Sequence, residues 1–337
     1  MALLFADSFD HLDTADLDEK YTSVTGSPTV GSTYKRNGTN GVQLSSGDYL
    51  NLTLAPTTAA AGVCGMAIYR IDSGASSFWD LRNGEGRQMY LRIETDATLT
   101  LYDKDNNELD DSGGTTISAT QWHYLECKWT INNSGSFQVY LDGGSSPILN
   151  YAGDTSFQTS VTWTEIRWGI IAGNELYMDD IYVLDQTAAT YGPSNDDILG
   201  DIVVKCVLPN ADGDNSAFTP STGTVHFELV NDTTPNTTDY VSSGTASQID
   251  TWNFTNLGVT GTILGVQLSL YAQKSDSGTR TLAGVAWPVS TARVGDTQTP
   301  TTSWRYYREC WDYNPETDSD WTVATVDAAE FGVKVIA

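Results

Sequence analysis

Trp122, Tyr124 and Tyr140 share the polar phase of one predicted β-hairpin, with Gln138 beside them. Rings so placed stack on the apolar faces of sugars, and a neighbouring amide can fix hydroxyls. Packing of the same rings on a neighbouring strand, loop or subunit is the competing reading, and the favoured one. Two loops carry the oxygen ligands that Ca²⁺ takes. In "NADGDN", Asp212 and Asp214 flank a glycine, either as a Ca²⁺ pair or in a tight turn. "DKDNNELDD" opens like an EF-hand with Asp103, Asp105 and Asn107. It then places Glu108 where glycine is required and Gly114 where the bidentate glutamate belongs, which excludes an EF-hand. A third group lies in "WRYYRECWDYNP". Trp304, Arg305, Tyr306, Tyr307, Arg308 and Trp311 are of the types enriched at protein interfaces, so this segment is a candidate contact surface, with core packing as the alternative.

Little else points to chemistry. His11, His123 and His226 are far apart in sequence, with no His-Glu-x-x-His helix, no Gly-x-Ser-x-Gly elbow and no phosphate-binding loop. Cys64, Cys127, Cys206 and Cys310 include no Cys-x-x-Cys pair, so zinc is unsupported and free, buried thiols are expected. No catalytic residue and no cofactor other than Ca²⁺ is predicted.

The elements that must position these residues are strands. Charged residues make up 18% of the 337-residue chain, below the ~25% of typical globular domains. Thr, Ser, Gly, Asn and Asp fill the difference and favour strands and turns. The net charge of −26, from 17 basic and 43 acidic residues, shows no basic cluster along the sequence, which argues against nucleic acid as a partner. No segment approaches the ~18 apolar residues of a membrane span, so membrane insertion is not expected. "MALLFADSFD" lacks a basic n-region, so synthesis in a cytoplasm without a signal peptide is expected.

In "WHYLECKWTINNSGSFQVYLDGG", Leu125, Cys127, Trp129 and Ile131 alternate with polar residues, and Phe137, Val139 and Leu141 repeat the phase after an Asn-Asn-Ser-Gly turn. Similar strands are predicted at "MAIYRI", "FWDLRN", "QMYLRIET" and "TLTLYDKD". The predicted organisation is a sandwich over residues 1–186 whose first and last strands pair, a linker over 187–197, and a smaller β sandwich over 198–337. That second domain is expected to open with a strand at "ILGDIVVKCVLP", to hold another at "TVHFELV", and to form one short helical turn within "DWTVATVDAAEFG".

On "FADSFD", the Trp122–Gly144 hairpin and "LYMDDIYVLD", the first domain resembles the concanavalin A-like, laminin-G-like jelly roll, a family of lectins, glucanases and adhesion modules. The second, on "DILGDIVVKCVLPNADGDNSAFTPSTG" and "ILGVQLSLYAQKSDSGTRTLAG", is similar to modules of tailed-bacteriophage virion proteins. The glucanase pattern Glu-x-Asp-x-x-Glu, which places two carboxylates on one strand face, does not occur. Together these resemblances imply a non-enzymatic virion structural protein, a capsid decoration or a tail or fibre component. It would contact other virion subunits and form a homo-oligomer such as a trimer. A carbohydrate-binding adhesin or receptor-binding protein that recognises a host surface glycan is the alternative, and a glycoside hydrolase the lesser one.

Overall fold

Alternation of apolar and polar side chains builds the first unit. In the strand Trp122–Thr130, Leu125, Cys127 and Trp129 are fully buried, as are Phe137 and Val139 in the return strand Gly135–Leu141. The two strands pair antiparallel, with Cys127 opposite Val139 and Trp129 opposite Phe137. This is the hairpin that the sequence predicts. The protein is described by a computed structural model over residues 2–54, 59–170, 173–185, 197–288 and 291–337.

Two antiparallel sheets form the sandwich. The first runs Leu149–Gly153, Gly135–Leu141, Trp122–Thr130, Ala61–Arg70, Leu176–Asp185, Gly41–Leu44, Thr29–Gly31, with Ala2–Asp7 paired to Leu176–Asp185. The second runs Glu108–Thr116, Thr98–Asp103, Gly86–Ile93, Ser76–Asn83, Glu165–Gly169, Tyr49–Thr53, Ser23–Thr25. Inward rings from both sheets make the core: Trp79 lies 5.7 Å from Trp129 and 5.6 Å from Phe137, and Trp129 meets Trp163 edge-on at 5.1 Å. Burying such rings removes large apolar areas from water and is the main stabilising term of the sandwich. Cys64 and Cys127 face each other across the ladder as free, buried thiols. The chain is all-β with a jelly-roll sandwich, and the pairing of Ala2–Asp7 with Leu176–Asp185 joins its first and last strands.

The described residues cluster into two compact units. One holds the chain up to Asp185 together with Asp197–Val204, and the other holds Lys205–Ala337. The linker expected over 187–197 lies outside the described residues except for Asp197. Residues 198–208 form no strand, contrary to the sequence expectation. Instead Ile198, Leu199 and Ile202 lie on the outer face of the eight-stranded sheet, against Val63, Ala67, Tyr124, Tyr182 and Leu184. Side-chain carboxylates replace a ladder for this strap: Glu126 Oε1 accepts the N–H groups of Leu199 (2.6 Å) and Gly200 (3.0 Å), and Asp180 Oδ1 accepts that of Val204 (2.8 Å).

The second unit has a five-stranded sheet, Pro209–Ser216, Ile249–Phe254, Glu330–Val335, Leu282–Trp287, Arg293–Val294, and a ladder of Val266–Ala272 with Arg305–Trp311. Leu268, Ala286, Trp321, Ala329 and Phe331 form its core. The helical turn is Val323–Asp327, capped by Thr322, whose side chain accepts from Thr325 N. "TVHFELV" is not a strand: Phe227–Leu229 is a 3₁₀ turn. Asp212 accepts the N–H groups of His226 and Phe227 at its start, which competes with strand pairing.

Candidate functional site

One polar row crosses the whole outer face of the seven-stranded sheet. Ser23 pairs with Asn51, Asn51 with Arg167, Arg167 with Asp80, Asp80 with Tyr90, Tyr90 with Tyr102, and Tyr102 with Glu108. Six strand gaps of about 4.8 Å make this a track about 29 Å long. The outward phase follows from alternation, since Trp79, Leu81, Leu91, Ile166 and Trp168 occupy the buried phase of the same strands.

Two arginines stand on this track in the same way. Arg167 Nε donates to Asn51 Oδ1 (2.6 Å), and its guanidinium lies 4.9 Å from the Tyr49 ring. Arg87 Nε donates to Asp80 Oδ2 (3.1 Å), and its guanidinium lies 4.5 Å from the Tyr90 ring. Each is held through Nε and backed by a ring. Among the described residues, the four terminal nitrogens of these two side chains donate to no protein partner. A guanidinium so held presents a planar two-donor edge, the geometry that engages a carboxylate bidentately. Burial lowers the pKa of Arg167, as does the like charge of Arg82.

Arg82 and Arg92 complete the group. Arg82 bridges Asp80 Oδ2 (3.4 Å) and Glu165 Oε1 (3.0 Å), and Arg92 Nε meets Glu94 Oε2 at 3.4 Å. Four guanidiniums against the carboxylates of Asp80, Glu94 and Glu165 leave the centre of this face slightly positive, in a chain of net charge −26. Tyr90 and Tyr102 stack at 5.0 Å, with their hydroxyls bonded to Asn106 and Glu94. Asp80 lies beneath the arginines at 1% exposure, and its Oδ1 has no partner. Burial raises its pKa, opposed by the charges of Arg87, Arg167 and Arg82.

Arg87 is on this face because of a bulge. Leu81 pairs with Met89 and Arg82 with Arg87, so Gln88 is left over in the Gly86–Ile93 strand. Simple alternation from Met89, Leu91 and Ile93 would aim Arg87 at the core; the extra residue turns it outward. Gln88 is fully buried, donating to Ser160 O (3.0 Å) and accepting from Phe157 N (3.0 Å).

The residues singled out from sequence lie elsewhere. Tyr124 is on the outward phase of its strand but only 1% exposed, covered by the strap, and its hydroxyl donates to Asp180 O (3.0 Å). Trp122 is half-buried against Tyr69 at 5.6 Å, in a run of rings that continues through Tyr177 to Tyr34. Tyr140 donates to Gln138, and Gln138 to Asn150. Asp212 is committed to the backbone of His226 and Phe227, while the Asp214 N–H donates to Glu330. Among the described residues no three His, Cys, Asp or Glu side chains are grouped to hold a metal. Trp304 stacks on Tyr271 (5.1 Å), Tyr306 tilts against the same ring (4.9 Å), and the Tyr307 hydroxyl accepts from Thr301 N. Trp311 packs on Phe331 in the core, burial lowers the pKa of Arg308, and Arg305 is exposed. The arginine row escaped the sequence reading because strand register, not sequence proximity, gathers residues 82, 87, 92 and 167.

No protein-family model matches the chain, and no curated protein does. Solved structures do. An endo-β-1,4-glucuronan lyase from the fungus Trichoderma reesei is 12% identical, with a TM-score of 0.38 over 54% of this chain and 94% of that one. The PL-14 alginate lyase of Aplysia kurodai is 11% identical, with a TM-score of 0.41 over 55% and 100%. Domain 4 of an extracellular arabinanase from Geobacillus stearothermophilus, in complex with arabinotriose, is 13% identical, with a TM-score of 0.36 over 55% and 92%. At these identities the likeness is one of β-sandwich fold. These similar structures are polysaccharide lyases and a glycosidase domain, not virion proteins. Their printed descriptions run against the expectation of a non-enzymatic bacteriophage structural protein, which has no counterpart among them.

Proposed function

We propose that the outer face of the seven-stranded sheet binds an acidic polysaccharide, a chain of uronate sugars laid across the strands. The carrying observation is the pair of Nε-anchored, ring-backed arginines, Arg87 and Arg167, whose terminal nitrogens are free to take carboxylates. Tyr102, half-buried further along the same row, offers a ring face to the sugars. Calorimetric titration of the full chain with polyglucuronate, alginate and an uncharged glucan tests this. The two polyuronates should bind and the neutral glucan should not. Arg87→Ala and Arg167→Ala should each weaken binding roughly tenfold or more. Equal binding of the neutral glucan would sink the proposal.

A second reading, cleavage of the bound chain, follows from the Arg87 guanidinium held ready for a uronate carboxylate. A guanidinium on a uronate carboxylate acidifies the C5 proton. Loss of that proton to a base with breakage of the C4–O bond, the leaving oxygen taking up a proton, produces a C4=C5 double bond. Near-ultraviolet absorbance of unsaturated uronate ends, growing with time, would report it; a flat trace would leave binding alone.

A further inference from the structure

We propose that Asp80 is a positioning residue of this face: it fixes the direction in which Arg87 presents its two terminal nitrogens. The inference rests on the face being a site for carboxylated glycan. At 1% exposure beneath the arginines, Asp80 does not itself reach a ligand, so any role it has in binding passes through them.

Its contacts are built for that. One oxygen, Oδ2, takes both Arg87 Nε (3.1 Å) and Arg82 Nη1 (3.4 Å). Use of Nε leaves the far edge of the Arg87 guanidinium pointing away from the carboxylate, and the Tyr90 ring limits rotation about that bond. Arg167, on the facing strand, lies opposite Asp80 in the ladder. Without the carboxylate three guanidiniums would repel one another across neighbouring strands. The other oxygen, Oδ1, is buried without a partner. A carboxylate serving stability alone would be expected to have both oxygens bonded. Here the bonded oxygen is the one that aims Arg87, and the Gln88 bulge brings Arg87 within its reach.

A counter-charge role and a positioning role predict opposite signs. Asp80→Asn removes a negative charge from an anion site, so electrostatics alone would tighten polyuronate binding. Loss of the Arg87 anchor would weaken it. The comparison variant is Glu165→Gln, which removes a charge that contacts Arg82 and not Arg87.

Titrating polyglucuronate into the full chain and both variants should show Asp80→Asn binding roughly tenfold more weakly and Glu165→Gln binding as tightly as the parent or tighter. In ¹⁵N spectra the Arg87 Nε–H signal should move to its solvent-exposed position in Asp80→Asn. Tighter or unchanged binding by Asp80→Asn would overturn the proposal while leaving the glycan site standing. Failure of the parent chain to bind polyglucuronate would remove the site and the proposal together. If Asp80→Asn does not fold, the parent decides: polyglucuronate should shift the Arg87 terminal nitrogens and leave its Nε–H bonded, and a displaced Nε–H would overturn the proposal.

Discussion

Gln88 decides which way Arg87 points. The two are consecutive, yet only Arg87 has a partner in the ladder with Ser76–Asn83, and the unpaired Gln88 turns inward to bond Ser160 and Phe157. Gln88→Ala would leave the half-buried Phe157 N–H without its partner and Ser160 O with only the longer bond from Asn83 (3.4 Å), at a cost of about 1–3 kcal/mol in all. Urea unfolding should show the loss of stability. Polyuronate affinity should fall with it, because the bulge that aims Arg87 loses its anchor. Full affinity in a destabilised Gln88→Ala protein would show that the bulge holds without the amide.

Acid should weaken the first unit before the carboxylates titrate. Burial and the Lys20 charge depress the pKa of His11 from 6.5 to about 3. A base depressed in the folded state is charged more readily in the unfolded chain. Its contribution is therefore present above pH 6.5 and is lost as pH falls toward 3. Asp7, paired with Lys20 at 2.9 Å, has a lowered pKa despite its burial and extends the loss in the same direction. Melting temperatures between pH 7 and pH 4 should fall in the parent. They should fall less steeply in His11→Gln, and equal slopes would refute the assignment.

The alkaline limb should slope the other way. Burial, then the neighbouring Asp180, raises the Asp179 pKa from 3.8 to about 8. A carboxyl raised in the folded state contributes fully below 3.8 and loses that contribution as pH rises through 8. Asp179→Asn cannot ionise, so its stability should change less than the parent's between pH 6 and pH 9, whatever its absolute value. Denaturant midpoints at those two pH values give the comparison.

Glu126 ties down the strap. Its Oε1 accepts from Leu199 N, Gly200 N and the Tyr182 hydroxyl. Glu126→Ala strands Gly200 N and the Tyr182 hydroxyl, leaves Leu199 N only its longer bond to that hydroxyl (3.3 Å), and should cost about 2 kcal/mol or more. Binding of an apolar dye should rise as Tyr124 and Tyr182 become accessible, and a variant that stays dye-negative would show that apolar contacts suffice to hold the strap.

What could be read from the sequence was what obeys alternation. Leu125, Cys127, Trp129, Phe137 and Val139 are buried as their phase requires. The outward phase of Tyr124 was equally legible, but not its burial, because the segment that covers it lies more than seventy residues on and makes no ladder. Arg87 was illegible for the opposite reason: the same alternation, applied across an unseen bulge, assigns it to the core. Asp80, Arg82, Tyr90 and Arg92 do sit on the polar phase of "FWDLRN" and "QMYLRIET", and that pattern could have marked a charged sheet face. Their neighbour Arg167 is brought in only by the ladder with Glu165–Gly169.

The strap has a consequence for anyone dissecting the chain. A fragment cut after Asp185, where the last sandwich strand ends, would carry every strand of the first fold and still lack part of its surface. Val63, Ala67, Tyr182 and Leu184 would meet water, and Glu126 would lose its backbone partners. The smallest faithful excision runs through Val204, so the stretch of chain leading to the second unit doubles as the finishing layer of the first.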